Sequence, residues 1–175
     1  GRSRSEVAAF LLDRFALEEQ ASQRKSEFGV STAWQAFVQV RLGHYEQMLS
    51  NPDVIVKNQW DHNIYLLKHA RKTGCKVGLA TMSTCEQARR VLTILDLGEA
   101  FDFVASRDDV ERGKPDPEIY HLVSDQLETP PENCLVIEDS PSGVEAALAA
   151  GMRCIAVTTP FTHEAIHASK LLKGE

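Results

Sequence analysis

Two adjacent carboxylates follow an apolar run in the segment CLVIEDSPSGVEAALAAGM, residues 134–152. Glu138 and Asp139 would repel each other at the end of a buried strand, and burial would add a desolvation cost. A bound divalent cation would remove both problems, since Mg²⁺ is held in proteins by carboxylate oxygens. The ordinary alternative is an acidic pair at a helix N-terminus, where the helix dipole stabilises negative charge.

A hydroxyl and a possible helix start occur in the segment ATMST, residues 80–84. Thr81 offers the hydroxyl, and the backbone N–H groups of Met82 and Ser83 would point out of a helix start that favours phosphate. The alternative needs no ligand, because Ser83 and Glu86 fit a capping box of the S-x-x-E type.

A single lysine, Lys114, lies in the segment ERGKPDPEIY, residues 111–120. It could direct its ammonium group at phosphate oxygens. The commoner role of one lysine is that of a solvated loop residue, so Lys114 indicates phosphate chemistry only together with the other two groups.

The elements that must position these groups are strands alternating with helices. The predicted strands are KVGLAT (76–81), FDFVAS (101–106), NCLVIE (133–138) and RCIAVT (153–158). Such alternation predicts an α/β fold with a parallel sheet covered by helices on both faces. Ligands of such sheets bind beyond the carboxyl ends of the strands, where the hydroxyl, the ammonium and the carboxylate pair would meet. These groups are the parts of a magnesium-assisted phosphoryl-transfer site.

The N-terminal third has a different pattern, which predicts two regions with a boundary after residue 56. Apolar residues recur at helical spacing in residues 1–56, and no strand signal occurs there. The turn signal SNPD, residues 50–53, breaks the helical pattern. We therefore expect a helical region at 1–56 and an α/β region at 57–175.

Composition excludes several function classes. The formal net charge is −6 and there is no extended basic cluster, which argues against nucleic acid as a partner. No apolar run approaches the roughly 20 residues of a membrane span, and the N-terminus lacks a signal-peptide pattern. The four cysteines show no C-x-x-C spacing. We interpret them as reduced, buried thiols of a cytoplasmic protein.

The order of the segments GLATMS, GKPDPEIY, CLVIEDSPSGVEAALAAGM and IAVTTPF closely resembles the haloacid dehalogenase-like (HAD) superfamily. Within it, the chain resembles the branch of beta-phosphoglucomutase and related sugar-phosphate phosphatases. The resemblance covers nearly the whole chain and implies a Rossmann-like core with a helical cap.

The resemblance also implies residue roles. Thr81 would donate a hydrogen bond to the transferring phosphoryl group, with Met82 and Ser83 beside it. Lys114 would neutralise that group and the nucleophile. Glu138 and Asp139 would hold Mg²⁺, directly or through water. Thr81, Lys114 and Asp139 are thus the expected catalytic residues.

The segment GRSR, residues 1–4, is similar to a G-x-S-R stretch of the phosphoglucomutase branch. By this resemblance Ser3 and Arg4 would contact the distal end of the substrate, since guanidinium binds phosphate in bidentate fashion. An exposed terminal arginine is the alternative. Relatives often carry Pro-Gly before the first helix of the core, whereas this chain has KNQW at residues 57–60.

One family motif is absent. Relatives begin the reaction with an aspartate in a D-x-D-G stretch after a central strand, and no aspartate of this chain lies in such a stretch. We expect a chain truncated at both ends that lacks this nucleophile strand. Three explanations stay open: a fragment, a chain that obtains the strand from another polypeptide, and a shortened homologue that only binds.

The predicted function is that of a magnesium-dependent phosphatase or phosphomutase acting on a small phosphorylated metabolite, a sugar phosphate above all, through an aspartyl phosphate. The chain by itself is expected to be inactive. The alternative is a non-catalytic phosphate-binding or regulatory module with a vestigial site. Dehalogenase chemistry needs no metal, so the pair Glu138 and Asp139 argues against it. The sequence leaves the exact substrate, the choice between phosphatase and mutase, and the oligomeric state open.

Overall fold

The computed structural model describes residues 4–160 and 162–171, and the chain divides into two units, residues 1–58 and 59–175. The described residues of the first unit form helices only, as the sequence predicts. These are α1 (Arg4–Arg14), α2 (Glu18–Gln23), α3 (Ala33–Leu49) and α4 (Pro52–Lys57).

Helix α3 organises the first unit. Its N-cap Thr32 accepts a hydrogen bond from the Gln35 backbone, and the Gln35 side chain accepts one from the Thr32 backbone. This capping box satisfies donors that would otherwise lack partners at the helix start. A small core joins α3 to α1 and α2, with Leu12, Ala21 and Ala33 at its centre.

The second unit alternates helices and strands. Its helices are α5 (Asp61–Lys72), α6 (Cys85–Ile94), α7 (Glu118–Gln126), α8 (Pro141–Ala149) and α9 (His163–Ser169). Its strands are β1 (Gly78–Ala80), β2 (Phe103–Ala105), β3 (Leu135–Glu138) and β4 (Arg153–Ala156). The α/β class and all four predicted strands are confirmed, although each strand is shorter than its sequence segment.

The strands pair in parallel, as predicted, but as two separate ladders. Strand β1 pairs with β2 with Leu79 opposite Val104, and β3 pairs with β4 with Ile137 opposite Ile155. Among the described residues, β1 and β3 each pair on one side only. The sheet is therefore interrupted between β1 and β3 within the described part of the chain.

Helices α7 and α8 supply most of the core of this unit. Ile119 of α7 and Ala146 of α8 are fully buried between the two helices and the strands. Gly78 of β1 lets α7 approach closely, because a methyl group at this position would overlap the side chain of Val123. On the opposite face of β3, Leu135 is 54% exposed.

Two helix starts differ in how well the sequence predicted them. Ser140 caps α8 and Pro141 is its first residue, as expected. The capping box predicted from Ser83 and Glu86 is wrong by one position, because the N-cap of α6 is Thr84 and its partner is Gln87. Both pairs fit the same sequence pattern, so only the fold distinguishes them.

The cysteines are unpaired, as expected, but not uniformly buried. Cys75 and Cys85 are exposed, while Cys134 and Cys154 are partly buried. The expectation of four buried thiols is therefore wrong for the first two, which lie at helix ends rather than within strands. No helix among the described residues combines the length and apolar character that a membrane span requires.

Candidate active site

A cavity of about 520 Å³ opens at the carboxyl ends of β1 and β3. It brings together groups that are far apart in sequence, because parallel strands end at the same edge of a sheet. The predicted site residues that line it are Thr81, Met82, Lys114, Glu138 and Asp139. Its other lining residues are Trp60, Asn63, Leu79, Ala80, Ile137, Ser140, Ser142, Val157 and Thr159.

The other three predicted site residues are Ser83, Ser3 and Arg4. Ser83 is not among the residues that line the cavity, and its N–H donates a 3.1 Å hydrogen bond to Oγ1 of Thr81. Ser3 and the side chain of Arg4 lie outside the described part of the chain. Their substrate contact therefore stays a prediction.

Lys114 joins the two ladders at the carboxyl end of the gap between them. Its Nζ donates a 3.1 Å hydrogen bond to the carbonyl oxygen of Ala80, at the end of β1, and a second one to Oε1 of Glu138, at the end of β3. The ammonium also lies 4.8 Å from the centre of the Tyr120 ring, within cation–π range. Its side chain is 9% exposed, so it is not a solvated loop lysine.

Both carboxylate oxygens of Glu138 have protein partners. Oε1 accepts from Lys114 and, at 2.6 Å, from the hydroxyl of Tyr120. Oε2 accepts from the Asp139 backbone at 3.1 Å and from the Ser140 hydroxyl at 3.2 Å. Burial by itself would raise the pKa of Glu138, but the charge and hydrogen bond of Lys114, with Tyr120 and the Asp139 backbone, hold this pKa below its usual range.

Asp139 differs from its neighbour. It is exposed at the cavity, and its carboxylate has no hydrogen bond or ion pair within the described residues. The two adjacent charges thus tolerate each other because Glu138 is matched by Lys114, while the Asp139 carboxylate remains available to a ligand.

A match to a protein-family model assigns this chain to a family. The model described as haloacid dehalogenase-like hydrolase matches residues 16–157. The chain belongs to this family. The resemblance noted in the sequence is therefore confirmed, and the solved structures described below agree with the beta-phosphoglucomutase-like branch.

Individual HAD relatives are phosphatases by name. The chain is 35% identical over 123 residues to a validoxylamine A 7'-phosphate phosphatase of Streptomyces hygroscopicus, a match that covers 70% of this chain and 58% of the relative. It is 34% identical over 160 residues to hexitol phosphatase A of Escherichia coli, covering 91% and 70%. It is 45% identical over 89 residues to a phosphorylated carbohydrates phosphatase of Thermotoga maritima, covering 51% and 41%. The chain thus spans about half the length of several relatives that it matches.

Solved structures of HAD proteins have a similar fold. A Thermotoga maritima protein provisionally assigned as a beta-phosphoglucomutase is 30% identical and superposes with a TM-score of 0.62, over 86% of this chain and 69% of that protein. A mutant of CbbY from Rhodobacter sphaeroides, solved in complex with xylulose 1,5-bisphosphate, is 32% identical with a TM-score of 0.55, over 58% and 46%.

A HAD site of this kind raises the question of a bound Mg²⁺, and the two acidic residues fit it unequally. Asp139 offers a free, exposed carboxylate, the ligand type that Mg²⁺ prefers. Glu138 could ligate directly only by losing one of its present donors. No cluster of three or more potential ligand side chains exists among the described residues, so Asp139 would need substrate phosphate and water to complete a shell.

The lining of this cavity around Thr81 contains groups that can donate hydrogen bonds. Thr81 continues the β1–β2 ladder, since its N–H donates a 2.9 Å hydrogen bond to Ala105. Its Oγ1 accepts from Ser83, which leaves the O–H free to donate. The N–H of Met82 has no partner within the described residues. These donors and the Lys114 ammonium line the same cavity as the Asp139 carboxylate.

Sequence reasoning missed two residues that shape this HAD site. Tyr120 lies in the first turn of α7 and is 5% exposed, and burial together with the adjacent Glu138 raises its pKa. A buried tyrosine needs a partner for its hydroxyl, which could have indicated a polar neighbour. Gly143 of α8 was also missed, although a methyl group there would overlap the Glu138 carboxylate. No signal in the sequence identifies that contact.

Proposed function

We propose that this chain carries the phosphate-binding and metal-binding groups of a magnesium-dependent phosphohydrolase or phosphomutase that acts on a small phosphorylated metabolite, with sugar phosphates as the substrate class. The observation that carries the proposal is the convergence of the Thr81 hydroxyl, the Lys114 ammonium and the free Asp139 carboxylate on one cavity. The names of the relatives support the substrate class, since they include phosphatases of hexitols and of phosphorylated carbohydrates.

The phosphoryl group would lie between the hydroxyl and the ammonium. Thr81 would donate its O–H, Met82 its free backbone N–H, and Lys114 the N–H that is not directed at Ala80 or Glu138. Such preorganised donors stabilise the charge that develops on the phosphoryl oxygens during transfer. In this proposal Ser83 acts indirectly, by orienting the Thr81 hydroxyl.

The cation would be held by the Asp139 carboxylate, and Glu138 would not be a direct ligand. Magnesium bound there would supply charge neutralisation and orientation for the phosphate oxygens. Glu138 would instead hold Lys114 at the edge of the cavity, because Tyr120, Asp139 and Ser140 already fix its carboxylate. The sequence analysis assigned metal binding to both acidic residues, whereas in this proposal Asp139 would bind the cation and Glu138 would position Lys114.

The nucleophile would come from a strand that lies between β1 and β3. Within the described residues, β1 and β3 each pair with one neighbouring strand only, and both contribute residues to the cavity lining. An inserted parallel strand would pair with both strands and end beside Lys114. An aspartate at that end would attack phosphorus as the P–O bond to the substrate breaks, and the departing oxygen would take a proton from solvent. Water or a second substrate hydroxyl would then take the phosphoryl group from the aspartate and lose its proton to solvent.

Two further parts of the proposal concern the N-terminal residues of the chain. Residues 1–56 would serve as a helical cap, and Arg4 would bind a second anionic group of the substrate. In a complete homologue, replacing the residue that corresponds to Arg4 by Ala should raise KM for a bisphosphate more than KM for a simple aryl phosphate. Equal effects on both substrates would remove Arg4 from the site. The protein would act in the cytoplasm.

The test compares the 175-residue chain with a version extended by the coding sequence upstream of Gly1. Phosphate release is measured with Mg²⁺ and a panel of hexose, hexitol and aryl phosphates. Turnover by the extended chain alone, lost on Asp139→Asn, is the expected result. Turnover by the short chain would reveal a nucleophile within it. If both the 175-residue chain and the extended chain bind phosphate without turnover, the hypothesis of a non-catalytic binding module is favoured.

A further inference from the structure

The cavity is lined by more residues than the proposed phosphoryl chemistry uses. Thr81, Lys114 and Asp139 occupy one part of its lining. Trp60 and Asn63 form another part, and neither has a role in the phosphoryl chemistry described above.

Trp60 and Asn63 are arranged to act together. Trp60 is the N-cap of α5 and Asn63 lies in its first turn, three positions later, which puts the two side chains on one side of the helix. The backbone fixes this spacing, because the N–H of Asn63 donates a 3.0 Å hydrogen bond to the carbonyl of Trp60.

The polar groups of both side chains are unused. Neither the indole N–H of Trp60 nor the amide of Asn63 has a hydrogen-bond partner within the described residues. Trp60 is 46% exposed, an unusual state for the largest apolar side chain. Among the described residues that line the cavity, it is the single aromatic one.

We propose that Trp60 and Asn63 form a subsite for the carbohydrate ring of the substrate, an inference that rests on the proposed function. The indole would pack against the C–H face of the ring, and the Asn63 amide would hydrogen-bond its hydroxyl groups. This combination of an aromatic face and an amide suits a sugar, which presents apolar C–H and polar O–H groups together. A phosphate compound that has no sugar ring would not bind more tightly because of this subsite.

The test uses the two tryptophans of the chain. Trp34→Phe leaves Trp60 as the single indole, whose emission is followed while inorganic phosphate, glycerol phosphate or glucose 6-phosphate is added with Mg²⁺. Binding constants come from calorimetry on the same samples. We expect glucose 6-phosphate alone to change the emission, and to bind more tightly than glycerol phosphate.

Variants at the subsite separate ring binding from phosphate binding. Trp60→Ala should weaken glucose 6-phosphate binding roughly 3- to 10-fold, the range expected for one aromatic contact, and leave inorganic phosphate unchanged. Trp60→Phe should recover part of the loss. Tyr65→Ala is the matched control, since Tyr65 lies on the same helix, is 72% exposed and does not line the cavity.

Different negative results would contradict either the sugar subsite alone or the proposed function as well. If all three ligands bind and Trp60→Ala weakens their binding by the same factor, the subsite proposal is wrong and the proposed function still stands. An unchanged glucose 6-phosphate affinity in Trp60→Ala would do the same. No binding of any ligand would overturn the proposed function, and the subsite with it.

Discussion

The hydroxyl of Tyr120 donates a 2.6 Å hydrogen bond to Oε1 of Glu138, and these residues are 18 positions apart in the sequence. Lys114 donates to the same oxygen, and its ammonium lies over the Tyr120 ring. The three side chains form one buried unit that ties α7 to the end of β3. Its integrity can be tested by unfolding experiments that need no substrate.

Tyr120→Phe should reduce the free energy of unfolding by about 1.5–3 kcal/mol, because a hydrogen bond to a charged group is lost while the ring remains. Urea denaturation measures this change. Tyr65→Phe is the control, since Tyr65 is 72% exposed, and it should stay within about 0.5 kcal/mol of the parent. Equal effects of the two substitutions would contradict the energetic importance of the Tyr120 contact.

Lys114→Met should destabilise the fold by about 3–5 kcal/mol, since it leaves the buried Glu138 carboxylate without its cation. Adding Glu138→Gln removes that orphaned charge, so the double variant should lose less than the sum of the two single changes. An interaction energy of about 0.5–3 kcal/mol from the double-mutant cycle is expected. Simple additivity would show that the pair is not energetically coupled.

Gly143→Ala should destabilise the protein by about 1–3 kcal/mol, because the added methyl group would overlap the Glu138 carboxylate. Gly43 provides the opposite case. It lies in α3 with nothing near its added methyl group, so Gly43→Ala should stabilise by about 0.4–1 kcal/mol. Thermal and urea unfolding measure the stability changes of both variants. If Gly143→Ala stabilises the protein, the Glu138 carboxylate does not approach Gly143 closely.

Asp109 should make stability depend on pH in the acid range. The hydroxyl and the N–H of Ser106 donate to its Oδ2 at 2.6 and 2.8 Å, and they lower the pKa of Asp109. A carboxyl group with a lowered folded-state pKa stabilises above the unfolded pKa of about 3.9, and this stabilisation is lost as pH falls through the folded value.

The corresponding experiment follows Tm of the parent and of Asp109→Asn from about pH 6 to about pH 2.5, a range that spans the unfolded pKa. The parent should lose stability more steeply than the variant below about pH 4. Ser106→Ala, which removes one of the two donors, should give an intermediate slope. If Tm falls with pH at the same slope in the parent and in Asp109→Asn, Asp109 does not cause the acid dependence of stability.

Magnesium should stabilise the parent chain through Asp139. At a Mg²⁺ concentration about ten times Kd, binding to the folded state adds about 1.4 kcal/mol to the free energy of unfolding. Asp139→Asn should abolish this gain without changing stability in the absence of metal, because the Asp139 carboxylate has no protein partner among the described residues. Asp125→Asn, an exposed carboxylate that does not line the cavity, should keep the gain. A Mg²⁺ response that survives Asp139→Asn would locate the cation elsewhere.

Local sequence patterns predicted the elements of this protein well. Ser140 followed by Pro141 predicted the start of α8, because an N-cap side chain and a fixed proline φ act within one turn. Local patterns failed where two options lay side by side. Ser83 and Thr84 both fit a capping box, and Thr84 caps α6, while the backbone of Ser83 binds Thr81 and Arg107.

The sequence by itself determined which groups the site contains: a hydroxyl, a lysine and two carboxylates at the ends of parallel strands. The tertiary structure decided how the two carboxylates differ. Glu138 points to the buried side of β3, where Lys114 and Tyr120, 24 and 18 positions away, donate to it. Asp139 follows the strand and is exposed to the cavity. Because these donors reach Glu138 only after α7 and the segment before it pack on the strands, no pattern of neighbouring residues could have separated the pair.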